Sequence, residues 1–290
     1  MSLHSINGEI KMLVDRERVK DIFAEYTANY NVEDTKVRLK VEHTYRVAGL
    51  AETIAKSLDL EEEDIDIAWL LGMLHDIGRF EQLRRFNTFI DSRSINHAHL
   101  SADLLFGREC HEDAGKEEDH NTSGGHTISI REFIDGDEQD ELIEKAIRLH
   151  NIFILPSDLT DRELLFCNLL RDADKIDILK VNCDIPREEI YDKPTSEILK
   201  ESISPLVYED AICCRNVDRK NVTTVVDSLV TQISFVYGLV FPESYRLTVK
   251  QGYLDKLLDF KSDNPDTNKK MAEICNVVKK YITKRCGDIA

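Results

Sequence analysis

The feature that most constrains this chain is the stretch WLLGMLHDIGRF, residues 69–80. From 67 to 77 every residue is apolar or glycine except the adjacent pair His75 and Asp76. This run predicts a buried helix with the pair at its end, and we expect Gly78 to end that helix with a positive φ. An imidazole and a carboxylate in an apolar interior are costly unless each is hydrogen-bonded, paired or bound to a metal. The pair therefore belongs either to a structural hydrogen bond or to a metal site.

Charge and cysteine content bound the possible functions. The chain has 290 residues and a formal net charge of −17, which argues against binding to a nucleic-acid duplex or a membrane surface. Its seven cysteines are scattered and show no CxxC spacing, which indicates reduced thiols. We therefore expect a cytoplasmic protein that does not span a membrane.

Helical periodicity recurs along most of the chain. It predicts helices at about 16–30, 35–58, 96–105, 138–150 and 158–180, and three more at about 217–237, 242–261 and 268–284. The last three carry no catalytic motif, so we expect them to pack on the rest or to form an oligomer face. Residues 107–125 are polar, acidic and glycine-containing, which predicts a surface loop or lid.

Several histidines and aspartates next to apolar sequence are candidate metal ligands. They are His43, His75, Asp76, His97, His150 and Asp174. Six such groups suit two divalent ions that share a bridging carboxylate and activate a hydroxide for attack on phosphorus. Arg79, Arg84 and Arg85 cluster nearby, and arginines suit phosphate oxygens, although a solvated basic face explains them equally well.

The order His43, His75-Asp76, Asp174 resembles the metal-binding signature of the HD-domain phosphohydrolase superfamily, and HDIG is the characteristic form of its central motif. The segments HTYRVAGLA, LLGMLHDIGRFEQLRRF, NHAHLSADLL, AIRLHN and LLRDADKIDIL resemble the subgroup with two further histidines and a binuclear centre. The resemblance covers about residues 35–180. It implies an all-α HD-domain helical bundle over 1–185, with additional C-terminal helices over 186–290.

The resemblance implies two metal positions. The ligands of the first are His43, His75, Asp76 and Asp174. Asp76 also bridges to the second, whose other ligands are His97 and His150. The ions are one or two divalent metals, drawn from Mn, Fe, Co, Ni, Zn and Mg.

Two of these assignments depend on matching the family's motifs. His97 is preferred over His99 because it matches the family's H-x-x-[LIG]-[GS]-A helix. Asp174 is preferred over Asp172 and Asp177 because it matches the A-D-[KR]-[LI] segment. By the same resemblance Arg79 and Lys175 contact phosphate, with Arg46 as a weaker candidate.

The predicted activity is metal-dependent hydrolysis of a small phosphoester, with a nucleotide as the favoured substrate and Asp76 as the catalytic residue. The chain has no GYP motif, which argues against cleavage of cyclic di-GMP. Two alternatives stay open: a metal-binding sensor with the same fold and little turnover, and a di-iron oxygenase. Homo-oligomer formation is also left open.

Overall fold

The chain is all-α, as the sequence predicts. The computed structural model describes residues 14–107, 126–191 and 193–287, and no strand occurs within these ranges. The first helices are α1 (Arg16–Thr27), α2 (Thr35–Ser57), α3 (Glu62–Leu74), α4 (Gly78–Phe86), α5 (His97–Phe106), α6 (Ile130–Phe133), α7 (Asp140–Leu149) and α8 (Asp161–Asp184). The later helices are α9 (Arg187–Tyr191), α10 (Thr195–Ile198), α11 (Pro205–Ile212), α12 (Val225–Ser234), α13 (Pro242–Gln251), α14 (Tyr253–Leu258) and α15 (Pro265–Gly287). Most of the predicted loop at 107–125 lies outside the described residues.

Helices α2 and α3 pack closely along a seam of small residues. Ala48 and Ala51 on α2 are fully buried, and Gly72 on α3 faces Ala48. A Cβ atom at Gly72 would lie 2.5 Å from the Cα atom of Ala48 and 2.6 Å from its backbone nitrogen. The two backbones therefore approach each other at a distance that only glycine allows. This contact fixes α2 against the end of α3, where the His75-Asp76 pair lies.

We expect Gly72→Ala to lower the free energy of unfolding by about 3 kcal/mol, since the new methyl group meets backbone atoms that cannot move aside. Urea denaturation measures this change. Gly49→Ala is the matched control, because Gly49 lies on α2 with no atom near its missing Cβ. That variant should match wild type or gain up to about 1 kcal/mol from helix propensity. Equal stability of the two variants would contradict the close approach of α2 and α3.

The expected end of the buried helix is wrong in one respect. Helix α3 ends at Leu74, residues 75–77 form a turn, and Gly78 begins α4 without a positive φ. Glycine is needed there for a different reason. A Cβ atom at Gly78 would lie 2.6 Å from the backbone nitrogen of Ser101 on α5, and the Gly78 N–H donates to the Ser101 hydroxyl at 2.9 Å.

Helix α8 is the longest helix and joins the two parts of the chain. Thr160 and Glu163 form a capping box at its start. On one side α8 contacts α2, α3 and α7, and on another it contacts α12, α13 and α14. It is therefore buried on more than one face, which explains why its apolar residues do not form a single stripe.

The first two C-terminal helices are shorter than the periodicity predicts, whereas α15 extends beyond the predicted 268–284 at both ends. Two separate helices, α13 and α14, replace the continuous helix expected at 242–261, because Gly252 between them has a φ of 70°. The division of the chain at 185 stays a prediction. No helix in the described ranges has the length and apolar character needed to cross a bilayer.

Candidate metal centre

Five helices or their ends bring the six candidate ligands together. His43 lies on α2, the pair His75 and Asp76 follows α3, and His97 is the first residue of α5. His150 ends α7, and Asp174 lies within α8. Both the imidazoles and the Asp76 carboxylate are buried, while the Asp174 side chain is 15% exposed. The residues that the sequence singles out as ligands thus form one cluster.

Two of the four imidazoles are oriented by backbone carbonyls. The Nδ1 atom of His75 lies 2.8 Å from the Gly72 carbonyl oxygen, and that of His150 lies 2.7 Å from the Ile147 carbonyl oxygen. Both carbonyls are in the last turns of helices, where the regular bonding to the residue four positions on has ended. Because a carbonyl only accepts, Nδ1 donates in both residues and Nε2 carries the lone pair.

The other two imidazoles are oriented by carboxylates. The Nδ1 atom of His43 lies 2.6 Å from Oδ2 of Asp177, and that of His97 lies 2.7 Å from Oδ2 of Asp91. A carboxylate on Nδ1 fixes the ring and raises the basicity of Nε2, which is the arrangement usual behind metal-binding histidines. All four histidines therefore engage Nδ1 and leave Nε2 toward the centre of the cluster.

One group within the cluster has the character of a metal site. His43, His75 and Asp174 bring their ligand atoms within 4.8 Å of one another. The Nε2 atoms of His43 and His75 are buried and form no hydrogen bond of standard geometry among the described residues, although Nε2 of His43 lies 3.2 Å from Oδ1 of Asp174. Both Nε2 atoms lie 3.5 Å from Oδ2 of Asp76. Buried imidazole nitrogens without a well-formed hydrogen bond are costly, and a divalent cation would satisfy them together with the carboxylates.

A second group adjoins the first. His75, Asp76 and His150 also bring their ligand atoms within 4.8 Å of one another. The Nε2 atom of His97 lies 3.4 Å from Oδ1 of Asp76 and 3.0 Å from Nε2 of His150. It also lies 3.2 Å from Nη2 of Arg79, so this nitrogen already has a donor beside it. Asp76 thus faces the first group with Oδ2 and the second with Oδ1.

The carboxylates make one side of the cluster strongly negative. Burial and then Lys40 lower the pKa of His43, but Asp174, Asp177 and Asp76 outweigh them and raise it to about 10. The same negative potential that favours a proton on this imidazole favours a divalent cation at its Nε2 atom.

The other imidazoles are neutral at neutral pH. Burial is the main cause that lowers the pKa of His97 to about 3 and that of His150 to about 4, and it also lowers the pKa of His75. Burial would raise the pKa of Asp76, but positive charge around it, first that of Lys40, lowers it well below the usual range. Neutral imidazoles and an ionised carboxylate are the forms that bind metal.

The three predicted phosphate contacts lie in different places. Arg79 lines the cavity next to the cluster, with Nε 3.6 Å from Oδ1 of Asp76. Lys175 lines the same cavity, and burial and then Arg171 lower its pKa to about 8. Arg46 is not among the residues that line this cavity.

Arg46 instead holds the carboxylate behind His43. Its Nε atom donates to Oδ1 of Asp177 at 2.6 Å, and its Nη2 atom donates to Oδ2 at 3.0 Å. Both Arg46 and His43 therefore engage one carboxylate, and Arg46 orients His43 through Asp177.

Sequence reasoning missed two residues of the site. Lys40 lies 2.7 Å from Oδ2 of Asp76 by its Nζ atom, and Asp91 contacts His97, Arg79 and Gln82. Lys40 could have been found, because it precedes His43 by three positions and so shares its helix face. Asp91 begins a short 3₁₀ helix, Asp91–Arg93, whose sequence gives no such signal.

The cluster opens into a cavity of about 170 Å³. Asp76, His97, His150 and Asp174 line it, together with residues from the C-terminal segment that include Asn216, Arg219 and Phe235. The segment was expected only to pack on the rest of the chain or to form an oligomer face. It also forms one wall of the cavity.

The fold and the cluster define a class: an all-α protein with buried His and Asp groups that could hold a divalent metal. A family model described as the HD domain matches residues 41–179, just under half of the chain, and this part of the chain is similar to that family. HD domains bind divalent metals and are generally hydrolases. Neither the curated proteins nor the solved structures include a match to this chain. Residues 180–290 lie outside the family match.

Proposed function

We propose that this chain is a metal-dependent phosphohydrolase that acts on a small phosphoester, with a nucleotide as the favoured class. One observation carries the proposal. Two buried imidazole nitrogens without a well-formed hydrogen bond adjoin ionised carboxylates, and this group opens into a cavity lined by Lys40, Arg79 and Lys175. The first feature suits divalent cations, and the second suits an anionic substrate.

The proposed ligands fall into two sets that share Asp76. The first set is His43, His75, Asp76 and Asp174. The second set is Asp76, His97 and His150. Divalent ions held there would lower the pKa of a bound water and polarise a phosphoryl oxygen. No serine or cysteine nucleophile is then needed.

The chain's own cations would hold the substrate phosphate against these ions. Arg79 is fixed by bonds from Nη1 to the Phe89 carbonyl oxygen at 2.7 Å and to Asp91 at 2.9 Å. Its buried Nε atom forms no hydrogen bond among the described residues, lies 3.6 Å from Oδ1 of Asp76, and is the donor that we assign to a phosphoryl oxygen. With a pKa of about 8, Lys175 is mostly protonated at neutral pH and adds positive charge to the same cavity.

The cationic lining also separates this proposal from its alternatives. Lys40, Arg79, Arg171, Lys175 and Arg219 line the cavity, which suits an anion better than an apolar oxygenase substrate. A sensor module would keep the metal and show little turnover, so the test below distinguishes it.

Removal of metal provides the test. We expect protein treated with a chelator and then dialysed to lose at least roughly 10³-fold of its phosphate release from a panel of nucleotides and sugar phosphates. Adding back Mn²⁺, Co²⁺ or Ni²⁺ to the same sample should restore the rate, and phosphate assays together with elemental analysis measure both. Metal binding without phosphate release across the panel would favour the sensor. Iron-dependent uptake of dioxygen would favour the oxygenase.

A further inference from the structure

The C-terminal segment is attached to the helix that carries Asp174. The Asp172 carboxylate accepts the backbone N–H groups of Val240 and Phe241 at 2.8 and 3.1 Å. The Lys175 ammonium donates to the Gly238 carbonyl oxygen at 2.9 Å. Because these bonds flank Asp174 on both sides, the C-terminal segment is held in a fixed position beside the metal centre.

The cavity at the metal centre continues into a larger groove of about 910 Å³. Both spaces are lined by Arg79, Ile178, Arg219, Thr231 and Phe235. A molecule with one end at the metal centre would therefore extend past Arg219 into the groove.

The groove is basic although the chain as a whole is acidic. Five basic side chains line it: Arg79, Arg93, Lys193, Arg219 and Lys220. Among the residues that the structure describes, only two acidic side chains, Asp91 and Glu201, line it with them. This excess is unusual in a chain whose formal net charge is −17. An anion entering the groove would meet a favourable local potential.

Three of the five cations already have partners. Arg79 pairs with Asp91 at 2.9 Å, Lys220 pairs with Asp218 at 2.8 Å, and Lys193 pairs with a glutamate of the groove. Within the described part of the chain, the side chains of Arg93 and Arg219 form no ion pair or hydrogen bond. Two guanidinium groups with open donors thus face the same groove, and Arg219 also lines the metal-centre cavity.

We propose that Arg219 and Arg93 bind a second anionic group of the substrate, so that the substrate is a phosphoester with another phosphate or carboxylate remote from the scissile bond. This inference rests on the proposed function and deepens it, because it assigns recognition of the remote group to Arg219 in the part of the chain outside the HD-domain match. A guanidinium offers paired donors that match the oxygens of either anion.

The test compares substrates that differ by one phosphate. Adenosine 5′-monophosphate is compared with adenosine 3′,5′-bisphosphate, and glucose 6-phosphate with glucose 1,6-bisphosphate. The manganese-loaded wild type should prefer the bisphosphate of at least one pair by roughly 10-fold or more in kcat/KM, mainly through KM. Arg219→Gln should lose this preference while it keeps its metal content. A dicarboxylate inhibitor series then distinguishes a carboxylate from a phosphate as the second group.

Arg38→Gln is the matched control. Arg38 is exposed on α2, lies outside both cavities and undergoes the same change of charge. This variant should behave as wild type on every substrate. If wild type hydrolyses phosphoesters with no preference for the second phosphate, or if Arg219→Gln keeps that preference, this inference is overturned and the proposed function stands.

A binding measurement keeps the two proposals distinguishable. If no phosphoester is hydrolysed, the proposed function fails. Calorimetric titration of the same compounds into the manganese-loaded protein then tests separately whether Arg219 binds a second anionic group. Tighter binding of a bisphosphate that weakens by roughly 10-fold in Arg219→Gln supports it. Equal binding by wild type and this variant overturns it.

Discussion

Replacing Asp76 with asparagine is expected to remove metal from both proposed positions and to lower phosphate release by roughly 10³-fold or more. The reason is the position of its two oxygens. Oδ2 lies 3.5 Å from Nε2 of both His43 and His75, while Oδ1 lies 3.4 Å from Nε2 of His97. Asparagine keeps the size of the side chain but removes the charge and one oxygen ligand. Elemental analysis and a phosphate assay measure the two losses.

The control for this variant is Asp103→Asn. Asp103 is a carboxylate on α5 that pairs with Arg148 on α7 and belongs to neither ligand group. Metal content and rate should stay at the wild-type level in this control. Circular dichroism of both variants shows whether the helices are intact. An Asp76→Asn protein that is folded, fully loaded with metal and active would refute the assignment of Asp76 as the shared ligand.

Much of the helical structure could be predicted because amphipathic helices at a surface place apolar residues at regular three- and four-residue steps in the sequence. Helix α2 was expected at 35–58 and is found at Thr35–Ser57. The end of α3 near the His75-Asp76 pair is also predicted, but the start of α4 at Gly78 is not, since an apolar run gives no periodic signal for it. Contact with α5 determines it, because Gly78 must approach Ser101 closely.

The clustering of the proposed ligands was predictable only through the order of residues in a family motif. His43 and Asp174 are separated by more than 130 positions, and no local pattern says that they meet. The carboxylates that orient the histidines show the limit of this reasoning. Asp177 follows Asp174 by three positions and fits the sequence pattern only as an alternative ligand, whereas nothing in the sequence singles out Asp91. Their roles depend on tertiary contacts with His43 and His97.

The groove beside the candidate metal centre was not predictable at all. Arg219 lies in a segment without a motif, and its proximity to Arg79 follows from the attachment of that segment to α8. A sequence shows that an arginine exists but not whether an acidic neighbour has already engaged it. In this chain, with 55 acidic residues against 38 basic ones, a guanidinium without a partner is therefore informative only once the fold is known.

The number of metal ions should depend on His97. We expect wild type to bind two equivalents of Mn²⁺, the second at least roughly 10-fold more weakly than the first. The Nε2 atoms of His43 and His75 form no hydrogen bond of standard geometry among the described residues, whereas Nε2 of His97 lies 3.2 Å from Nη2 of Arg79, which must move before an ion can bind there. His97→Ala should therefore lose the weaker equivalent, and His43→Ala should lose the tighter one. Calorimetric titration with Mn²⁺ measures both affinities and stoichiometries.

The matched control for His97→Ala is His99→Ala. His99 lies two positions further along α5, is only partly buried and belongs to neither ligand group. It should keep both equivalents, because residues two apart on a helix point in different directions. Loss of the weaker equivalent in His99→Ala, with retention in His97→Ala, would reverse the choice between the two histidines. A wild type that binds a single equivalent, unchanged by His97→Ala but lost in His43→Ala, would show that Arg79 keeps the second position closed and that the centre works with one ion.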